Sequence, residues 1–435
     1  MRYRLQRHDG TDCSATMVPI TVLRMVPIQR YRHFGLGTAF SFHYLCADET
    51  KSNNMETTIK KSERLASLDI LRGLDLFFLV GLEGVLHPLA KAVDTEGFQT
   101  FMWNFTHVDW QGFSPWDLVM PLFLFMSGVS IPFSMARFKN EANYSRLFRR
   151  LLKRFVLLWI FGMMCQGNLL GLDPSRVYLY SNTLQSIAVG YLFTALFFVF
   201  TSWKTQMGIA VSLLLVFWAS MKWIVVDGFG GGNYTPDGNL AEWIDRMVLG
   251  RFRDAASVDE GVVRFAPWYR YTWILSSLNF IVTVMSGAFA GQLLKNASFS
   301  ARRRVILLAG IGAAMVALGW LWNIEHPVIK KLWTSSMVLV SSGYCFLLMA
   351  FFYYVVDVCK FTRGMDWLRV YGMNSIVAYM LAQCVNFRCL PHSLFRGLEQ
   401  YVGPSWYQVL MAASCSLIIY FILLRMYRLR IYLRI

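Results

Sequence analysis

Residues 105–128 read FTHVDWQGFSPWDLVMPLFLFMSG, and this stretch decides the class of fold. Its first half is short and polar and holds one histidine, His107, among aromatic residues. Its second half is apolar enough to enter a lipid bilayer. A titratable side chain is thereby held at the mouth of a membrane helix. Working outward, apolar runs of about 20 residues recur along the chain, and a helix of that length crosses the roughly 30 Å hydrocarbon core. They fall near 70–90, 115–136, 154–172, 182–203, 206–226, 271–294, 304–322, 335–356, 370–388 and 405–425. The expected fold is all-α, a polytopic transmembrane helical bundle of about ten spans.

Composition agrees with that reading. The 435 residues are 56% hydrophobic and only 16% charged, more apolar than a soluble domain sustains. A formal net charge of +16 would suggest nucleic acid in a soluble protein, but here the bases sit mostly between apolar runs. They alternate: Lys60, Lys61 and Arg64, then Arg137 through Arg154, Lys204, Lys295 with Arg302, Arg303 and Arg304, Lys360 with Arg363, and Arg425 to Arg434. By the positive-inside rule that side is cytoplasmic, which puts both termini there and excludes nucleic acid as a needed partner. The long connection 227–270, rich in Gly, Trp and acidic residues, falls on the outer side, and its piece AEWIDRMVLGRF reads as a short amphipathic helix at the interface. Residues 1–54 are mixed and aperiodic, and are expected to be a disordered or spurious extension ahead of a membrane domain spanning 55–435. The eight cysteines show no metal-ligand spacing; Cys384 and Cys389 are near enough in sequence to meet by an outer loop, but no disulfide is expected.

Few residues can carry chemistry. The first span holds Asp75 and Glu83, and ionisable groups inside a membrane helix face a partner or a wet cavity. Glu83 shares a helix face with His87, while Asp75 lies about 12 Å deeper along the axis. Assembly and function are both open for Glu83. Asp69 and Arg72, three apart at the cytoplasmic edge, read as a local ion pair. His87, His107, His326 and His392 all fall at outer helix ends or loops, without i, i+4 pairing, so no metal site is expected. An isolated interfacial histidine serves as amphipathic filler more often than as a catalyst, and the residues alone leave both readings of His107 standing. The cluster Arg146, Arg149, Arg150, Lys153 and Arg154 is a topology signal that would also suit the phosphates of a cytoplasmic cofactor.

Several ordered motifs carry a resemblance. They are Ser67-Leu68-Asp69-x-x-Arg72-Gly73, His107-x-x-Trp110-x-Gly112, and Asp117-Leu118-Val119-x-Pro121-x-Phe123-x-Phe125-x-x-Gly128. Arg154, Leu184-Gln185, Pro327-Val328-x-Lys330-x-Leu332-Trp333-Thr334 and Gly372-Met373-Asn374-Ser375-Ile376 follow in order. Over about residues 64–430 the chain resembles the heparan-α-glucosaminide N-acetyltransferase family and its bacterial relatives. The resemblance implies an acyltransferase of the bacterial inner membrane that moves an acetyl group from cytoplasmic acetyl-CoA to an amino sugar or related glycan on the far side. It implies His107 as base or acyl acceptor, with Glu83 as its partner or as a ligand of the substrate ammonium. Asp69, Asp75, Asp117, Gln185, Asn374 and Ser375 would be supporting polar groups, and Arg72, Arg150 and Arg154 would meet the CoA phosphates. It also suggests a homodimer. Two departures stand out: Glu83 occupies a position where human-type members carry asparagine, and Ser186 follows the glutamine where many relatives carry arginine. The alternative is a transporter that carries an amino sugar without chemistry.

Overall fold

The computed structural model describes residues 65–140, 144–166, 169 and 177–433. The expected extension 1–54 and the bases Lys60, Lys61 and Arg64 lie outside them. Among the described residues, eight helices are long and apolar enough to cross a membrane. They are α1 (Ala66–Ala92), α2 (Pro115–Lys139), α4 (Thr183–Phe200), α5 (Trp203–Trp223), α7 (Ser277–Lys295), α8 (Ala301–Trp322), α9 (Ser335–Val358) and α12 (Pro404–Arg428). The chain is an all-α integral membrane protein, as its apolar periodicity requires.

The other two expected spans are helical but built differently. α3 (Tyr144–Gln166) begins ten residues ahead of the expected start, because its first half is basic and amphipathic. The ninth is two helices, α10 (Asp366–Met373) and α11 (Ser375–Cys384), broken at Asn374. There the side chain serves the chain's tail: Asn374 Nδ2 donates to Ile431 O at 3.0 Å, and Leu433 N donates to Asn374 Oδ1 at 3.2 Å. Asn374 thus closes a helix break, where the sequence suggested a polar group within one continuous span.

Glycines set the closest helix contacts. A Cβ on Gly128 of α2 would overlap the Val284 carbonyl of α7, and one on Gly287 would overlap the Phe125 carbonyl in return. Gly73 and Gly372 make the same reciprocal approach between α1 and α10, against the carbonyls of Leu368 and Asp69. Bilayer lipid is as apolar as leucine, so such close backbone packing supplies much of what holds membrane helices together. α7 sits centrally, packed on α2, α4, α5 and α9.

The long connection is folded. It forms the hairpins β1 (Val225–Val226) with β2 (Phe229–Gly230) and β3 (Ala256–Asp259) with β4 (Val262–Phe265) around α6 (Leu240–Leu249). The expected amphipathic helix is therefore present, and it buries Leu240 and Ala241 with Phe217, Met221, Ile329 and Leu332. It also buries acids. Glu242 takes Arg253 Nη2 at 2.5 Å and Arg246 Nε at 2.7 Å. Asp245 accepts the backbone N–H groups of Trp273 and Ile274 at 2.8 and 2.9 Å, fastening the connection to the entry of α7. Burial raises the Asp245 carboxyl to about 7 against the pull of those bonds.

Candidate functional site

Two cavities lie at opposite ends of the bundle. The first is an open cleft of about 720 Å³ formed by residues 106–113 with Trp103. Its shape follows from how α2 begins. Pro115 supplies the fixed φ of a first helical residue, and Asp117 folds back to accept the Ser114 N–H at 3.0 Å and its hydroxyl at 3.1 Å. Ser114 Oγ also lies 2.6 Å from Thr106 O, which it can donate to. The carboxylate, 1% exposed, is thereby aimed at the loop before it, where His107 Nδ1 lies 2.8 Å from Asp117 Oδ1. A carboxylate can only accept, so Nδ1 carries the proton and Nε2 the lone pair. The ring itself is 39% exposed on the cleft.

A third group completes the cluster. Lys330 Nζ is 3.2 Å from the same Asp117 oxygen, 3.0 Å from His107 Nδ1 and 3.5 Å from Nε2. Since Nδ1–H points at Asp117, the lysine's place beside the ring follows from the carboxylate they share. Partial burial and the charges of Lys330 and Lys331 lower the His107 pKa from its ordinary value, opposed by Asp117. The imidazole is therefore neutral near pH 7, the state a base or nucleophile requires. Burial likewise lowers Lys330, while Asp117 and Glu83 draw it back up.

The segment 326–335 clamps this loop. Gly112 N donates to Val328 O at 2.8 Å, Gln111 bridges to Ile329, and Lys331 Nζ donates to Asp109 O at 2.7 Å. Trp110 Nε1 donates to Tyr234 O at 2.8 Å, so the long connection joins in. His326 is wholly buried: Nε2 accepts from Ser335 N at 3.0 Å, which leaves Nδ1–H to donate to the Tyr234 hydroxyl at 2.8 Å. Burial drops its pKa to about 3, so it stays neutral and structural.

The second cavity, about 370 Å³, opens among the bases at the other end. It brings together Arg72, Arg150 and Arg154 with Ser375, and it runs past Ser127, Ser130 and Ser134 to Leu184 near the start of α4. Arg154 stacks 3.8 Å over the Tyr191 ring. Beside Leu184, Asn182 Nδ2 donates to Tyr379 Oη at 3.2 Å. Glu83 stands within electrostatic reach of Tyr379, Tyr271 and Lys330.

The remaining expected residues are distributed as follows. Glu83 lies within electrostatic reach of Lys330, while the hydrogen-bond partner of His107 is Asp117. Gln185 closes the first turn of α4, accepting Ser181 N and Asn182 N at 2.8 and 3.0 Å. Asp69 is buried against Gly372, and Asp75 is buried deeper in α1 within reach of Arg72 and Cys345. His87 and His392 are exposed and stand outside both cavities. Lys330 has one sequence signal of its own: with Lys331 it forms a pair of lysines on the base-poor side of the topology.

Comparison with known proteins supports one relation. A family model described as a domain of unknown function, DUF5009, matches residues 64–235, which include Arg72, Glu83, His107, Asp117, Arg150 and Arg154. Heparan-alpha-glucosaminide N-acetyltransferase of Homo sapiens is 28% identical over 372 residues, covering 73% of this chain and 52% of that protein. The Mus musculus protein of the same name is 25% identical over 377 residues, covering 75% and 54%. The chain spans about half the length of the curated relatives it matches. Over about three quarters of its length, the chain is similar to heparan-alpha-glucosaminide N-acetyltransferase.

Proposed function

We propose that the chain is a transmembrane acyltransferase. It takes an acetyl group from acetyl-CoA at the basic end and passes it to an amino sugar or related glycan at the end that holds His107. The observation that carries the reading is the pairing of a three-arginine cavity at one end with a neutral, carboxylate-oriented histidine at the other. Arg72, Arg150 and Arg154 supply the fork geometry that phosphates favour, and the basic end is the cytoplasmic one of a bacterial inner membrane. The serine-lined cavity reaching to Leu184 suits a slender acyl carrier arm.

At the other end, Nε2 of His107 removes a proton from the acceptor amine as it attacks the thioester carbon. The C–N bond forms, the C–S bond breaks, and the coenzyme leaves as its thiol; from an ammonium acceptor one proton is released. The same lone pair can take the acetyl group first and hand it on. Asp117 holds the tautomer and stabilises the imidazolium that forms, and Glu83 offers a carboxylate to the incoming ammonium. Positioned base catalysis of this kind contributes about 10²–10⁴-fold.

The test is acetyl transfer from radiolabelled acetyl-CoA to a panel of amino sugars by the full chain in lipid nanodiscs. His107→Ala should lose about 10²–10⁴-fold in turnover and still bind coenzyme A. Coenzyme A binding with no transfer to any amine or hydroxyl refutes the reading.

A further inference from the structure

Two cysteines far apart in sequence meet at the end of the bundle away from the arginines. Cys165 lies one residue before the end of α3, and Cys384 ends α11. Their Sγ atoms are 3.7 Å apart, and Cys165 Sγ is 3.4 Å from Met380 Sδ. Cys384 is exposed and Cys165 is half-buried. A disulfide bond is about 2.05 Å long, so closure needs a side-chain movement of under about 2 Å.

The two helices are also the walls of the basic cavity. α3 contributes Arg150, Arg154 and Leu158, and α11 contributes Ser375 and Ile376. Both run from that cavity toward the thiols. Arg154 to Cys165 is about 16 Å of helical rise, and Ser375 to Cys384 is about 14 Å. The pair is thus placed at matching distances along two packed helices, where one covalent bond fixes their separation.

We propose that Cys165 and Cys384 form a reversible disulfide that staples α3 to α11 and restricts the basic cavity between them. The reaction is exchange with an external disulfide, a small molecule or a thiol–disulfide protein. One cysteine thiolate attacks it and expels a thiol, and the second cysteine resolves the mixed disulfide and expels the other. Two protein thiols are oxidised as one external disulfide is reduced to two thiols. On the proposed topology the pair faces the oxidising side of the membrane, where such bonds persist.

The experiment uses the full chain in nanodiscs, equilibrated with oxidised glutathione, alkylated with iodoacetamide and digested for mass spectrometry. The expected result is loss of both labels at Cys165 and Cys384, with a peptide linking them, while the exposed Cys359 remains labelled. The link should vanish in Cys384→Ser and after reduction. A link between Cys384 and Cys389, glutathione adducts alone, or full labelling of both cysteines overturns the proposal. In the same digests, phenylglyoxal should modify Arg150 and Arg154 more slowly in the oxidised protein, and equal rates in both states overturn the restriction of the cavity. Neither readout uses acetyl-CoA, so failure of the transferase reading leaves this test intact.

Discussion

Asp117 is bound to both of its neighbours, and substituting it separates folding from chemistry. In Asp117→Asn the Lys330 ammonium, whose side chain is 9% exposed, loses the carboxylate that pairs with it among the described residues. Removing one partner of a buried ion pair costs about 3–5 kcal/mol, because the other charge stays behind. The amide brings its own conflict. If its oxygen faces His107 Nδ1–H, its NH₂ faces the N–H groups of Ser114 and Val108, which now donate to Asp117 Oδ2 at 3.0 and 3.4 Å. The reverse orientation sets NH₂ against the imidazole N–H. The double variant Asp117→Asn/Lys330→Met removes the stranded charge and should recover most of the lost stability. Activity should not return with it, because the bond that fixes the tautomer is still missing. Such a bond to a charged group is worth about 1.5–3 kcal/mol, or about 10–150-fold in rate. Denaturation followed in detergent micelles, together with steady-state acetyl transfer, completes the cycle. If Asp117→Asn alone is as stable as wild type, or the double variant is less stable than Asp117→Asn, the buried-pair argument is wrong.

Three further outcomes are expected. The base must be neutral, and the His107 pKa lies below its ordinary value, so acetyl transfer should hold steady through neutral pH and fall only as pH drops below about 6.5. Lys330→Met takes a cation from beside the ring and should move that acid limb to higher pH; an unmoved limb counts against the geometry. Glu83→Gln should lower turnover and alter its pH dependence, and unchanged kinetics across pH would remove Glu83 from the mechanism. Gly287→Ala forces a Cβ onto the Phe125 carbonyl and should cost about 1–3 kcal/mol, read as earlier thermal unfolding in detergent, with no change expected if α2 and α7 are not in backbone contact.

The apolar runs made the bundle legible because lipid leaves a spanning segment no other option. The motif around His107 singled that residue out, and the structure sets Asp117 and Lys330 beside it. Its partners were harder. Asp117 was visible as a polar group at a helix start, but that it binds His107 depends on a turn that folds the helix cap back over ten residues. Lys330 stands 223 positions from His107, and no local pattern encodes such a meeting. The hairpins did leave a trace: Asp227-Gly228 and Glu260-Gly261 each sit between short strands, and all four residues have positive φ, as tight hairpin turns demand. The break at Asn374 was hidden because its cause is the tail beyond α12, far along the chain.

Within α1, the turn Phe77–Leu82 is π-helical. A π turn closes its hydrogen bonds one residue later than an α turn, so the helix after it is rotated by about 100° from the phase a uniform wheel assigns. The first half of α1 can therefore keep Gly73 pressed on α10 while the second half holds Glu83 within electrostatic reach of Lys330. A single straight helix would force one face to serve both neighbours. The extra residue acts as a phase shifter, and counting residues from Asp75 to Glu83 on an ideal wheel misplaces residue 83 by about that angle.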